Sequence, residues 1–237
     1  IENYVEKLTF GGITGAGTSE NIQNSFVQNI QVKINNILST DGIGGIIGKN
    51  TSGTIKNCYT TGKIETNREY TGGIAGYSTG EISNCYSVIN INSTSKNIGG
   101  IVGYVTFSPG DFSATNPIKY NMFLGNIYTT SEINNRIVGN GEIGNGNFGY
   151  IEQKISGLSG NEKNIELLEN SEIFNKDTYL KRLLWGENQY DFTSLNLGIL
   201  PKLKHTDTGE ILVNQNDVVL EKENLKIINI ETNKINE

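Results

Sequence analysis

The chain has 237 residues, 25 acidic against 19 basic side chains, and a formal net charge of −6. No basic cluster interrupts its Asn, Ile and Gly background, which argues against nucleic acid as a partner. No run of 18 apolar residues is present, so nothing in this segment is expected to span a membrane. The first residue is Ile1, with neither a start methionine nor a leader, as expected of a segment excised from a larger protein.

In chain order, the first signal is a repeated phrase: GGITG at Gly11 to Gly15, GGIIG at Gly44 to Gly48, GGIAG at Gly72 to Gly76 and GGIVG at Gly99 to Gly103. Each copy is followed by a second phrase: Asn24-Ser25-Phe26, Asn57-Cys58-Tyr59, Asn84-Cys85-Tyr86 and Asn121-Met122-Phe123. The glycine phrases start 33, 28 and 27 residues apart, so a unit of about 27 residues recurs with insertions. Between the phrases lie Gly, Asn, Ser, Thr and β-branched residues with little helical periodicity, which predicts short strands and turns. Each unit supplies about three strands, for example Ile43 to Lys49, Gly53 to Thr60 and Lys63 to Thr66. A unit this short cannot bury its own apolar face, and stacking the units buries a shared core.

Stacked phrases form side-chain ladders whose composition shows where they point. Lys49, Tyr77 and Tyr104 follow the glycine phrase, and a tolerated Lys predicts a solvent-facing ladder. Ser25, Cys58, Cys85 and Met122 follow the Asn, while Ile22, Ile55 and Ile82 stand two places before it; both ladders are expected to point inward. Strict alternation would put Ile55 and Cys58 on opposite faces, so Asn57 is expected at a bend in the left-handed region. Cys58 and Cys85 are close enough for a disulfide or a reduced stack, the latter favoured because in-register strands hold the Cβ atoms slightly too far apart. The one histidine, His205, lies past the repeats, which argues against a zinc site.

The fourth unit is the longest because Thr106 to Tyr120 is inserted between its two phrases. Long insertions in a solenoid project from one face. Phe107, Asp111, Phe112 and Tyr120 on this loop, with Tyr77 and Tyr104 beside it, are the candidate partner-binding residues; packing of Phe107 and Phe112 onto the solenoid is the competing role. Catalysis by a carboxylate pair is not expected, because Asp41 and Asp111 fall at non-equivalent places and Glu65, Glu69 and Glu81 sit near turns without a consistent partner. A Ca²⁺ site built from turn carboxylates and carbonyls stays open.

After about Ile155 the pattern changes. Ile165, Leu167, Leu168, Ile173, Phe174, Leu180, Leu183 and Leu184 alternate with charges, which predicts one or two short amphipathic helices, the second near Lys176 to Leu184. The chain thus divides into repeats at 1–158, a helical cap and closing segment at 159–205, and an extended tail or start of another domain at 206–237. The closing segment is expected to fold back with Trp185, Tyr190, Phe192 and Leu200 against the body.

The GGIxG phrase paired with NCY resembles the GLUG repeat. The stretch WGENQYDFTSLNLGILPKLK, Trp185 to Lys204, is similar to the terminus of GLUG regions upstream of Gram-positive zinc metalloendopeptidases, typified by the immunoglobulin A proteases. The resemblance implies an all-β, right-handed parallel β-helix of about five coils, N-terminal to a protease domain in a secreted or cell-wall-attached bacterial protein. It further implies a host glycoprotein partner such as immunoglobulin A, with zinc held by the parent protease domain and no cofactor in this segment. HExxH is absent and a single histidine cannot assemble that site, so this segment is expected to be non-catalytic. An adhesin or structural spacer module of a surface protein without protease activity is the alternative.

Overall fold

A computed structural model of the chain describes residues 5–18, 21–35, 37–106, 117–131, 134–156, 162, 164–220 and 227–228. Most of these residues lie in strands, which form three parallel sheets and, among the described residues, two small antiparallel pairs at Tyr190–Asp191 with Lys202–Leu203 and Val219–Leu220 with Ile227–Ile228. Sheet A stacks Val5–Gly11, Ile37–Gly44, Thr71–Gly72, Ile98–Gly99 and Asn134–Asn135. Sheet B stacks Thr14–Thr18, Ile47–Thr51, Ala75–Ser78, Val102–Val105 and Val138–Asn140. One ladder of sheet C runs through Asn21–Ile34, Thr54–Thr66, Tyr86–Ser93, Met122–Phe123, Asn147–Tyr150 and Ile165–Leu168. The chain visits A, B and C in turn, and each strand pairs with its equivalent one unit away. The result is an all-β, β-helix-like architecture.

The glycine phrase is the corner between sheets A and B, not the single strand expected over Ile43 to Lys49. One strand ends at Gly44, and Ile46 and Ile47 accept the turn by donating their N–H groups to Ile74 O of the next coil at 2.9 and 3.1 Å. Steric contacts explain the glycines. A Cβ on Gly76 would lie 2.2 Å from Ile43 N and 2.5 Å from Gly42 Cα, so the strand of sheet B rests backbone to backbone on sheet A. Gly103 and Gly139 face Thr71 N and Ile98 N in the same way, at 2.4 and 2.5 Å. The second glycine of each phrase lies against a backbone carbonyl of the next coil, 2.2–2.3 Å from where a Cβ would sit, and is also covered by a side chain from sheet C: Val27 over Gly12, Thr60 over Gly45, Ser87 over Gly73 and Phe123 over Gly100.

Sheet C separates two apolar interiors. Ile55, Cys58, Ile64, Ile82, Cys85, Ile89 and Ile91 join Ile43, Ile74, Ile98 and Val102 in the core enclosed by the three sheets, all essentially without solvent exposure. Tyr59, Tyr86, Val88, Met122, Phe148 and Leu168 point the other way into a second core. The bend that lets Ile55 and Cys58 share a face is at Asn57, whose φ of 51° matches the 49° of Asn24 and 54° of Asn84. Asn reaches this left-handed region at lower cost than other side chains. The stacked amides also tie the coils together, since Asn121 Nδ2 donates to Ile82 O at 2.9 Å and Asn147 Nδ2 to Ile118 O at 2.8 Å, inside the protein.

The fourth unit departs from the expected ladder. Tyr86 pairs with Met122 and Ser87 with Phe123, a slip of one residue, so Met122 leaves the inward cysteine ladder and joins the outer core while Phe123 turns inward. Here Tyr120, with φ 56°, takes the left-handed bend in place of Asn121.

The described part of the closing segment packs along the outer side of sheet C. Ile165–Leu168, expected to be helical, is a strand that extends sheet C beside Asn147–Tyr150, because an open edge of backbone donors there outweighs the weak helical pattern. Asn170–Ile173 is a short α-helix and Thr178–Arg182 a π-helical turn. Trp185, Tyr190, Phe192 and Leu200 do pack on the body, against Tyr59, Tyr86 and Phe148. Phe26, Tyr59 and Tyr86 stack at 5.3 and 4.7 Å between centroids, and Trp185 and Tyr190, 4.6 Å apart, continue the stack from the closing segment. Polar tips find bend carbonyls: Tyr190 OH donates to Asn84 O at 2.7 Å, Trp185 Nε1 to Tyr120 O at 2.9 Å, and Tyr86 OH to Pro201 O at 2.8 Å.

Candidate functional site

Of the six residues singled out on the sequence, Phe107, Asp111 and Phe112 lie outside the described residues. Tyr120 is built into the structure. Its ring lies against Gly146, where a Cβ would sit 2.4 Å from the ring, and its carbonyl receives the Trp185 indole. Tyr77 and Tyr104 occupy neighbouring coils of sheet B, away from the sheet C strands that Tyr120 precedes. The structure therefore brings Tyr77 and Tyr104 together and leaves Tyr120 apart from them.

Tyr77 and Tyr104 are half-buried, short of the exposure expected from Lys49 at the equivalent position. A third ring explains the difference. Tyr70 lies 5.2 Å from Tyr104 and 6.5 Å from Tyr77, centroid to centroid, and Tyr77 and Tyr104 are 5.9 Å apart. Sequence reasoning missed Tyr70, although its place carries a signal. It stands immediately before the sheet A strand, where the adjacent coils have Gly42 and Asn97. Tyr70 holds φ 57° and Asn97 φ 59°. Burial, reinforced by the Glu69 carboxylate, pushes the Tyr70 hydroxyl above the usual phenol range.

Polar groups border the rings on two sides. Lys49 Nζ lies 5.5 Å from the Tyr77 centroid and 3.4 Å from Asp41 Oδ2. Beyond Tyr104, Asn140 Nδ2 donates to Asn97 Oδ1 at 3.0 Å, Asn97 Nδ2 donates to Glu69 Oε2 at 3.1 Å, and Lys96 pairs with Glu69 at 3.5 Å. Two lysines thus face two carboxylates around three rings, leaving a locally neutral surface rich in hydrogen-bonding groups.

Elsewhere, a cavity of about 300 Å³ opens beside the last coil, lined in part by Val138, Glu142, Ile143 and Glu162. Glu162 is committed there to the nearly buried Arg136, at 3.0 Å, and accepts the Arg136 backbone N–H at 2.8 Å. Cys58 and Cys85 are free and buried side by side; their thiols donate to Lys56 O at 3.3 Å and Ser83 O at 3.2 Å. Burial pushes the Cys85 thiol well above its ordinary value, which disfavours the nucleophilic thiolate. Among the described residues, no group of three or more His, Cys, Asp or Glu side chains is arranged to hold a metal, and no helix is long and apolar enough to cross a membrane.

The GLUG motif family matches two stretches, residues 39–65 and 67–92, which are the second coil and most of the third. No curated protein and no solved structure matches the chain.

Proposed function

We propose that this chain is a non-catalytic, right-handed parallel β-helix module of about five coils, with residues 1–158 forming the coils, 159–205 closing them and 206–237 leading onward. In this reading it belongs to a secreted or wall-attached bacterial protein, positions an adjacent zinc metalloprotease domain of the immunoglobulin A protease type and binds a host glycoprotein. The observation that carries the reading is the double-cored sheet C. Coils held on one side by the solenoid core and on the other by Trp185, Tyr190 and their neighbours make a stiff scaffold, suited to holding a partner at a fixed distance from a second domain. The tandem GLUG match supports a repeat module and is equally compatible with an adhesin or spacer.

Binding of the 237-residue chain to immobilised immunoglobulin A, with other serum and mucosal glycoproteins as controls, tests the reading. Saturable binding is expected, and a variant lacking Ser108 to Pro117 reports whether the fourth-unit insertion takes part. No binding at tens of micromolar to any of these glycoproteins would leave the spacer role. A protease domain with HExxH in the same polypeptide is expected under the first reading and absent under the second.

A further inference from the structure

We propose that Tyr70, Tyr77 and Tyr104 form a platform for uncharged sugar units, and so identify the part of a glycoprotein that this chain recognises. The inference rests on the glycoprotein-binding reading above and narrows it to one surface and one chemistry.

The argument starts from the corner before the sheet A strand. Its backbone takes a left-handed φ, and the next coil meets the same need with Asn97 at φ 59°, a residue type that accepts such geometry readily, while Gly42 on the other side holds a different backbone at φ 155°. Tyr70 at the same corner costs about 1–2 kcal/mol more than glycine would. The fold does not require a tyrosine there, since the next coil makes the same bend with Asn97. What Tyr70 adds is a third ring against Tyr104 and Tyr77. Strain retained where an unstrained choice stands one coil away directs attention to function.

The surface itself selects the ligand. Aromatic faces are electron-rich and attract the partially positive C–H bonds that line one side of a pyranose ring. Hydroxyl groups of a sugar need donors and acceptors beside those faces, and Asn140, Glu69 and Lys49 supply both kinds. The lysines and carboxylates are mutually paired, so an anionic or cationic ligand gains little there. A neutral, polar ligand with an apolar side fits best, and that description is a neutral hexose or N-acetylhexosamine unit.

The test applies the 237-residue chain to an array of immobilised neutral N-linked and mucin-type oligosaccharides, and to a glycoprotein before and after enzymatic removal of its sugars. Two variants take residues that the fold already carries at the equivalent places: Tyr70→Asn, as at Asn97, and Tyr77→Lys, as at Lys49. Oligosaccharide binding is expected, with each variant weakening it at least about tenfold, while Tyr70→Asn melts no lower than the parent. Oligosaccharide binding that survives both substitutions would overturn the platform. Glycoprotein binding that persists after sugar removal would also overturn it, leaving the broader glycoprotein reading intact. Failure of the parent chain to bind either the array or the untreated glycoprotein would remove both readings.

Discussion

Glycine in this chain marks contact as well as turning. The third glycine of each corner phrase supports a strand of the facing sheet through backbone atoms, which cannot move aside as a flexible side chain would. Gly76→Ala is therefore expected to destabilise the protein by at least about 3 kcal/mol, read as a lower urea midpoint. Gly209→Ala, in open space at φ 70°, is the control and costs only about 1 kcal/mol. The recurrence of these glycines was legible in the sequence, but the reason for each was not, because the atom that forbids a Cβ belongs to another coil. Asn57 was legible down to its backbone region, since two inward residues three apart require a bend between them. Met122 was misread: the phrase around it looks equivalent to Asn84-Cys85-Tyr86, and only the pairing of Tyr86 with Met122 exposes the one-residue slip.

At the scale of elements, the closing segment is held by aromatic packing and by an acid-dependent cap. Glu172 accepts the backbone N–H of Glu169 at 2.8 Å and pairs with Arg182, which also reaches Glu166. The Glu169 N–H, and then the Arg182 guanidinium, hold the Glu172 carboxyl below the ordinary range. A depressed folded-state pKa contributes stability that is present above the unfolded value of about 4.3 and lost as pH falls through the folded value. Acidification below about pH 4 is thus expected to loosen this segment, with near-ultraviolet circular dichroism of Trp185 and Tyr190 changing first. Glu172→Gln should remove that part of the pH dependence, and a profile unchanged in the variant would show that the cap does not govern it. Sequence reading identified Trp185, Tyr190, Phe192 and Leu200 as packing residues, because large aromatics in a polar stretch need a surface. Their partners Tyr59 and Tyr86 stayed hidden, since nothing local tells that sheet C buries both faces. Ile165 to Leu168 was missed for a related reason: the choice of strand over helix is made by a neighbouring edge.

Over the whole molecule, protection from solvent is unequal along the stack. Phe10, Ile22, Val27, Ile30 and Ile34 of the first unit are only partly buried, whereas Ile43, Ile55 and Ile64 of the second are closed off. Among the described residues, Val5–Gly11, Thr14–Thr18 and Asn21–Ile34 each border their sheet on one side. In a stack stabilised mainly by neighbour contacts, an end unit with one neighbour opens first. Amide hydrogen exchange in Asn21–Ile34 is expected to run at least about tenfold faster than in Thr54–Thr66, and equal protection would mean that unfolding is global. The stacked, strand-built architecture was readable from the period of the glycine phrases. The second core was not, because it joins residues from Phe26 to Leu220.

The wall between the two interiors also changes what an insertion does. In most sheets a one-residue frame shift carries greasy side chains out into water, and selection removes it. Here either side of the strand is oil, so the shift at Met122 and Phe123 merely exchanged two apolar groups between chambers. At these two positions the partition lets coils of unequal size sit side by side without turning either apolar group into water.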